Sequence, residues 1–415
     1  MKKTIEIPWT IDIDSILSEY PPEKKLKKDR LLYLIYLIYY MQVFNPRNVM
    51  SGKTRLHSQI LKKVIGNDYS HYVKYLVESD VIIKTDYFSP SNVSYQYEMA
   101  HLKYAAVHSK TIELEDKTLL KNVKEFEEDY FSISINVRKN YKYLKKWFND
   151  KLTADIPDDT LFQQKIKLEY INENKYRMDI DGFGKRLHSN LTNLPRELRS
   201  NLRYDGESLV EVDIKNCQFY LVIKFLLNYI KSNSPKLYNE LISLENDLDK
   251  LELLKNSVEY DDAALYIKHA TSLEFYENLA NRFSEKHDVE FTRDDVKKHL
   301  FESIFSKSNH YSRLKTLFKE MYPLVYEIID DKKRNNKLKK DKHKAISKSL
   351  QQLESSLVLR DICKNPSLEN VPLFTIHDAI LTTKENVSLV KNIIENTLYS
   401  NIYFKPNVEI KYYTE

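Results

Sequence analysis

Two aspartates lie at or near the ends of apolar, β-type runs that are far apart in this chain. One is in Val210-Glu211-Val212-Asp213-Ile214-Lys215-Asn216-Cys217-Gln218, the other in Phe374-Thr375-Ile376-His377-Asp378-Ala379-Ile380-Leu381. Between them Arg293, Lys297, Phe301 and Phe305 recur at every fourth position. An acid at a strand end beside an apolar helix needs a partner, a hydrogen bond or a metal. On a helix, positions four apart drift by only about 40° per step, so the second set forms one stripe, cationic at its start and aromatic at its end. Arg293 can grip a phosphate with two hydrogen bonds and Lys297 adds a mobile point charge. Phe301 and Phe305 can stack on a base or sugar. Paired carboxylates on a sheet facing such a helix suit metal-dependent nucleotide addition. Mg²⁺ favours a few carboxylates plus substrate phosphates, and two ions can clamp attacking and leaving oxygens. Taken singly, each feature has a plainer account: Asp is common in tight turns, and amphipathic helices bury aromatics.

The elements around these residues are legible from periodicity. Val210, Val212 and Ile214 share one face of a strand, Glu211 and Asp213 the other. An apolar helix follows from Phe219 to Ile230. Residues 231–345 read as mainly helical, and Lys332 to Lys344 as a basic loop or helix end, or a template-strand contact. Leu350 to Ile362 reads as an amphipathic helix, and 371–383 as a hairpin turning near His377-Asp378. A helix from Glu385 to Leu398 and a strand from Val408 to Tyr412 close the chain. Ahead of these, residues 1–112 read as a separate unit. Leu31 to Phe44 is a core helix, Leu56 to Ile65 a helix ending at Gly66, and Tyr69 to Ser79 another. Strands at 81–83 and 94–97 flank Phe88-Ser89-Pro90-Ser91-Asn92. Helix, turn, helix, hairpin is the order of a winged helix, a nucleic-acid-binding module. Residues 113–182 are helical and charged, most clearly from Val137 to Phe148. Lys139, Lys142, Lys145 and Lys146 there suit either a phosphate backbone or a solvated face.

The bulk numbers permit this chemistry. The chain has 415 residues, enough for several domains, and a net charge of +5. Two cysteines point to a reducing compartment with no disulfide framework. Five glycines argue against a glycine-rich phosphate loop. The most apolar run is shorter than the roughly 20 residues of a membrane span, so a cytoplasmic protein is expected. Abundant Lys, Asn, Ile and Tyr suit an AT-rich bacterial or phage genome.

In order and spacing, residues from about 182 to 383 resemble the palm and fingers of family A polymerases. That group includes bacterial DNA polymerase I and the phage-type single-subunit RNA polymerases. Gly184-Lys185-Arg186-Leu187-His188-Ser189, followed by Leu191-Thr192-Asn193-Leu194-Pro195, is similar to the family's Arg-Leu-x-Ser segment and asparagine-containing loop. Asp213 matches the motif A aspartate, and the Arg293, Lys297, Phe301, Phe305 series matches motif B. The Leu350-Gln351-Gln352 helix is similar to the family's glutamine-bearing helix, and His377-Asp378 matches motif C. The resemblance implies that Asp213, the Ile214 carbonyl and Asp378 hold two Mg²⁺, with Mn²⁺ a substitute. Arg293, Lys297, Phe301, Phe305 and Gln218 would bind the nucleoside triphosphate. Arg186, Gln351, Gln352 and His377 would bind the primer-template. The sequence departs from the family at three places. Ala379 follows the second aspartate, as a small residue does in the RNA polymerases. Phe305-Ser306 replaces Tyr-Gly. Gln218 stands where DNA polymerases carry a glutamate that excludes ribose.

The resulting expectation is a helix-rich α+β fold: a right-hand polymerase with an N-terminal winged-helix-like domain (1–112) and a helical thumb-like region (113–182). Two palm parts (183–230 and 346–415) would flank the fingers (231–345). The expected activity is template-directed nucleotide transfer, foremost a compact DNA polymerase without proofreading. An RNA polymerase or primase-like enzyme, a template-independent nucleotidyltransferase and a non-catalytic DNA-binding protein are the competing readings. The expected partners are a DNA primer-template or other nucleic acid and nucleoside triphosphates, with no membrane.

Overall fold

The computed structural model describes residues 2–43, 53–89, 92–101, 109–243, 261–334 and 342–413. The chain forms two compact units. The first comprises Met1–Lys139, Phe148–Asp179 and Ser189–Gly206, the second Asn140–Trp147, Ile180–His188 and Glu207–Glu415.

In the first unit, strand β1 (Lys3–Pro8) precedes helix α1 (Lys28–Val43). Every residue of α1 from Leu31 to Tyr40 is buried, as an all-round apolar helix requires. Strand β2 (Thr54–Leu56), helices α2 (Ser58–Val64) and α3 (Tyr69–Glu78), and strands β3 (Ile82–Ser89) and β4 (Asn92–Met99) follow. The sheet order is β2-β4-β3, both pairings antiparallel. Both hairpin strands run further toward the turn than the sequence suggests, and Pro90 and Ser91 lie outside the described residues. Strand β5 (Ser109–Leu114) pairs back onto β1. Helices α4 (Lys117–Tyr130) and α5 (Phe162–Asn172) complete one shared core. In it Leu120, Val123, Phe126, Ile166 and Tyr170 cluster with the apolar residues of α1. The stretch from Val137 to Phe148 is not one helix. It forms short pieces, Ile135–Asn140 and Lys142–Lys145, broken at Tyr141 (φ −127°, ψ 35°).

The second unit is helix-rich with an antiparallel sheet. Strand β6 (Leu187–His188) leads to β7 (Glu207–Ile214) and helix α6 (Cys217–Asn233). Helices α7 (Asp261–Thr271), α8 (Phe275–His287), α9 (Arg293–Phe305), α10 (Arg313–Met321), α11 (Pro323–Arg334) and α12 (Ala345–Ser356) follow. A π-type segment, Leu357–Ile362, continues α12. The hairpin strands β8 (Phe374–Ile376) and β9 (Ala379–Thr383), helix α13 (Val387–Ile402) and strand β10 (Val408–Lys411) close the fold. β8 pairs β9, β9 pairs β7, and β7 pairs β10, all antiparallel. Of the basic run 332–344, residues 335–341 lie outside the described residues. Lys333 is not a solvated charge: it is buried, donates to the Ile304 carbonyl, and burial pulls its pKa down to about 8. Lys315, also buried, donates to the carbonyls of Lys307, Ser308 and His310 at 3.0, 3.0 and 3.1 Å. Lys333 thus meets a carbonyl in the last turn of α9, where positive charge is favoured, and Lys315 satisfies carbonyls of the loop that follows it.

Candidate active site

Sheet register brings the two aspartates together. Asp213 in β7 lies opposite Ala379 in β9, so Asp378, the residue before Ala379, sits beside it at the sheet end. The Ile214 N–H reaches the Asp378 carbonyl at 3.4 Å. Ile376 pairs with Ala379, leaving His377 and Asp378 as a two-residue turn. His377 has φ +58°, a left-handed conformation that is uncommon outside glycine, although His is among the enriched exceptions. Across from β9, Asp213 also pairs with Glu409 of β10. Asn216, at φ +52°, ends the strand segment. Its side-chain amide donates to the Ser272 carbonyl at 3.1 Å, and α6 starts at once.

The third carboxylate of the site is Glu354 on α12, which the motif reading missed. It is buried to 2% exposure. Arg186 forks onto it, Nε to Oε1 at 2.7 Å and Nη2 to Oε2 at 2.8 Å. Gln218, on the first turn of α6, donates its side-chain N–H to Glu354 Oε2. Arg186 is held in turn by its own loop. The Asp181 carboxylate accepts the backbone N–H groups of Phe183, Gly184 and Arg186 at 2.6, 2.6 and 2.8 Å. Burial opposes ionisation of Asp181, but these three donors outweigh it and hold its pKa below the usual carboxylate value. Helix α12 docks on that loop through Ser355 Oγ to the Gly184 carbonyl at 2.8 Å and Gln352 to the Phe183 carbonyl at 3.0 Å. Gly184 allows this close approach: a Cβ there would lie 2.5 Å from Gln351 Oε1 and 2.9 Å from Gln351 Cβ, so a larger residue would displace Gln351.

One ligand atom each from Cys217, Glu354 and Asp378 lie within 4.8 Å of one another. The negative charge is only partly offset. The Asp378 carboxyl is pushed up to about 7, first by burial, then by Glu354 and Asp213. Burial also raises the Glu354 carboxyl, although Arg186 and Gln218 pull against the shift. The Cys217 thiol is pushed well up by burial and by the carboxylates around it, so it stays protonated and is no partner for a hard cation. Crowded oxygen ligands that resist sharing one site are what Mg²⁺ relieves, so the donor set fits a divalent ion. Asp213 already meets cations of the protein. Lys411 Nζ lies 2.5 Å from Asp213 Oδ2 and 2.7 Å from Glu211 Oε1. Lys215 Nζ lies 3.7 Å from Asp213 and 2.5 Å from Glu409. Tyr413 donates to the second oxygen of Glu211 at 2.7 Å.

Helix α9 is fastened close by. Its capping box, Thr292 with Asp295, fixes its start, and Val296, Leu300 and Ile304 are its fully buried face. The predicted stripe lies one position round from that face. Arg293 pairs with Glu277 at 2.6 Å, and its guanidinium lies 5.9 Å from the Tyr276 ring. Lys297 is exposed. Phe301 and Phe305 pack on Phe219, at centroid distances of 5.0 and 6.0 Å. Phe219 neighbours Gln218 in α6, so these rings dock α9 beside the carboxylates. His377 lies edge-on to His188 at 5.5 Å. Asp378, Gln218 and Arg186 therefore gather around Glu354, Asp213 faces Lys411 and Lys215, and Gln351 and Gln352 lie against the 181–186 loop. The local signal for Glu354 was a lone acid on the buried stripe of α12, between Leu350 and Leu357-Val358.

No family model matches this chain, and no curated protein matches it. Among solved structures, it is similar to the POL domain of Pol1 from M. smegmatis in complex with DNA primer-template and dNTP. The identity is 8%, the TM-score 0.31, and the match covers 60% of this chain. The match spans half the length of that structure. Among the described residues no helix is long and apolar enough to cross a membrane.

Proposed function

We propose that this chain is a template-directed nucleotidyltransferase of the DNA polymerase type, transferring a nucleotide to a 3′-hydroxyl. The observation that carries this reading is the register of β7 on β9. It places Asp213 and Asp378 side by side, with the Phe219–Phe301–Phe305 contacts holding the cationic helix nearby. In this assignment β7, α6, α12 and β8–β10 belong to the palm, and α7 to α11 to the fingers. The β2-α2-α3-β3-β4 order, with β4 between β2 and β3, supports a winged-helix module in the first unit.

Asp213, Asp378 and the Ile214 carbonyl would hold the divalent ions. When bound, these would acidify the attacking 3′-hydroxyl and offset the charge on the leaving pyrophosphate. Arg293, on the first turn of α9, receives the triphosphate by exchanging its exposed pairing with Glu277 for phosphate oxygens. Lys297, one turn on, would add charge and return a proton to pyrophosphate. The protein's contribution is positioning and charge neutralisation. Asp213→Asn should abolish primer extension while leaving the melting temperature within a few degrees. Normal extension by that variant would end the assignment. Running dNTPs and rNTPs in separate tubes, with and without template, separates DNA polymerase, RNA polymerase and template-independent addition.

A further inference from the structure

We propose that Glu354 is a positioning residue for the nucleotide site: with Arg186 it forms a buried anchor that requires a hydrogen-bond donor at position 218 and fixes the Gln218 amide in one orientation. The inference rests on the nucleotidyltransferase reading only for what Gln218 faces. The anchor itself stands on geometry. The Glu354 carboxylate accepts both guanidinium bonds of Arg186, and the side-chain N–H of Gln218 reaches one of the same oxygens. An ionised carboxylate only accepts, so a side chain meeting it there must donate. Glutamine does so. A glutamate in its place would set a second carboxylate against a buried one, with a single arginine between them. Because its nitrogen is committed to Glu354, Gln218 has its carbonyl oxygen left as the group for a substrate: an acceptor, suited to a sugar hydroxyl. Gln218 is half-buried, so that oxygen can be reached.

The charge at position 218 is therefore set by Glu354, and the two positions should behave as an exchangeable pair. The test is a double-mutant cycle on the full chain: Gln218→Glu, Glu354→Gln, and both together. Melting is read at pH 8 in EDTA, and the dNTP-to-rNTP ratio of kcat/KM is read by primer extension. Gln218→Glu should lower the melting temperature by about 6–12 °C. Glu354→Gln should lower it by a similar amount, because Arg186 loses its carboxylate. The exchanged double variant should recover most of the loss, with Arg186 now paired to the carboxylate introduced on α6. That stable double variant should also shift the nucleotide ratio by about tenfold or more, since the acceptor amide has been replaced by a carboxylate. Additive melting losses would overturn the anchor. Recovered melting with an unchanged nucleotide ratio would overturn its role at the nucleotide site. If the unmodified protein extends no primer, the functional reading fails, and the melting cycle alone decides the anchor.

Discussion

Asp378→Asn removes the charge that the site tolerates least, and it should stabilise the metal-free protein. The carboxyl of Asp378 is pushed from 3.8 up to about 7 by burial and by the charges of Glu354 and Asp213. A raised acid is protonated in the fold while it is already ionised in the unfolded chain. Its contribution to stability is complete below about pH 4 and is lost progressively as pH rises to about 7. Across that window of about three units, at about 1.4 kcal/mol each, the loss is about 4 kcal/mol. Asparagine stays neutral and escapes it. In a unit of roughly 200 residues this corresponds to about 8–16 °C of melting temperature. The assay is thermal unfolding in EDTA from pH 5 to 8.5, with and without Mg²⁺. The variant should melt above the unmodified protein at pH 8, and the gap should fall below half by pH 5. Mg²⁺ at pH 8 should raise the melting temperature of the unmodified protein and leave the variant nearly unmoved. An asparagine variant melting at or below the unmodified protein at pH 8, or a gap independent of pH, would refute the electrostatic account.

Lys411→Met removes a cation that competes for Asp213, and about tenfold less Mg²⁺ should then half-saturate the protein in a calorimetric titration. The same variant should melt lower in EDTA, since the buried Glu211 carboxylate loses the ammonium group that faces it. Arg293→Ala breaks exposed pairs with Glu277 and Asp294, so melting should move by less than about 1 kcal/mol. The KM for the nucleoside triphosphate should rise at least tenfold, and an unchanged KM would remove Arg293 from the site. His377→Gly relieves the left-handed backbone at φ +58°. It should stabilise the turn by up to about 1 kcal/mol, seen as a raised denaturant midpoint at constant slope.

Local pattern located the elements but not what crosses between them. The apolar alternation of β7, the hairpin around His377-Asp378 and the four-residue stripe of α9 are written in period and turn chemistry, and each stands where the sequence places it. The first unit shows the limit of such reading. The pairing of β1 with β5 joins segments about a hundred residues apart, and neither strand announces its partner. Residues from 113 to 182 read as a charged helical stretch, but Leu120, Val123, Phe126, Ile166 and Tyr170 face the same core as α1. Tyr141 shows the converse. Periodicity runs through it, and the backbone breaks there all the same.

The missed charges share one property: each sits among apolar neighbours that are buried or half-buried. Glu354 lies between Leu350 and Leu357 on α12, Lys411 follows Ile410 in β10, and Lys333 follows Ile329 by one turn of α11. Taken by itself, a buried charge reads as a fault in the pattern, because leaving it unpaired is expensive. Its counterpart is always distant in sequence: Arg186 for Glu354, Glu211 and Asp213 for Lys411, the Ile304 carbonyl for Lys333. Such faults are therefore the most useful long-range information that a single sequence carries. Each demands an opposite charge or a set of carbonyls, and here two of the three demands converge on the sheet end that carries Asp213 and Asp378. Carboxylates gathered this closely at a sheet end have to distribute their charge over partners from several elements. This is why Arg186, Lys215 and Lys411 surround the carboxylates that the motifs alone had left bare.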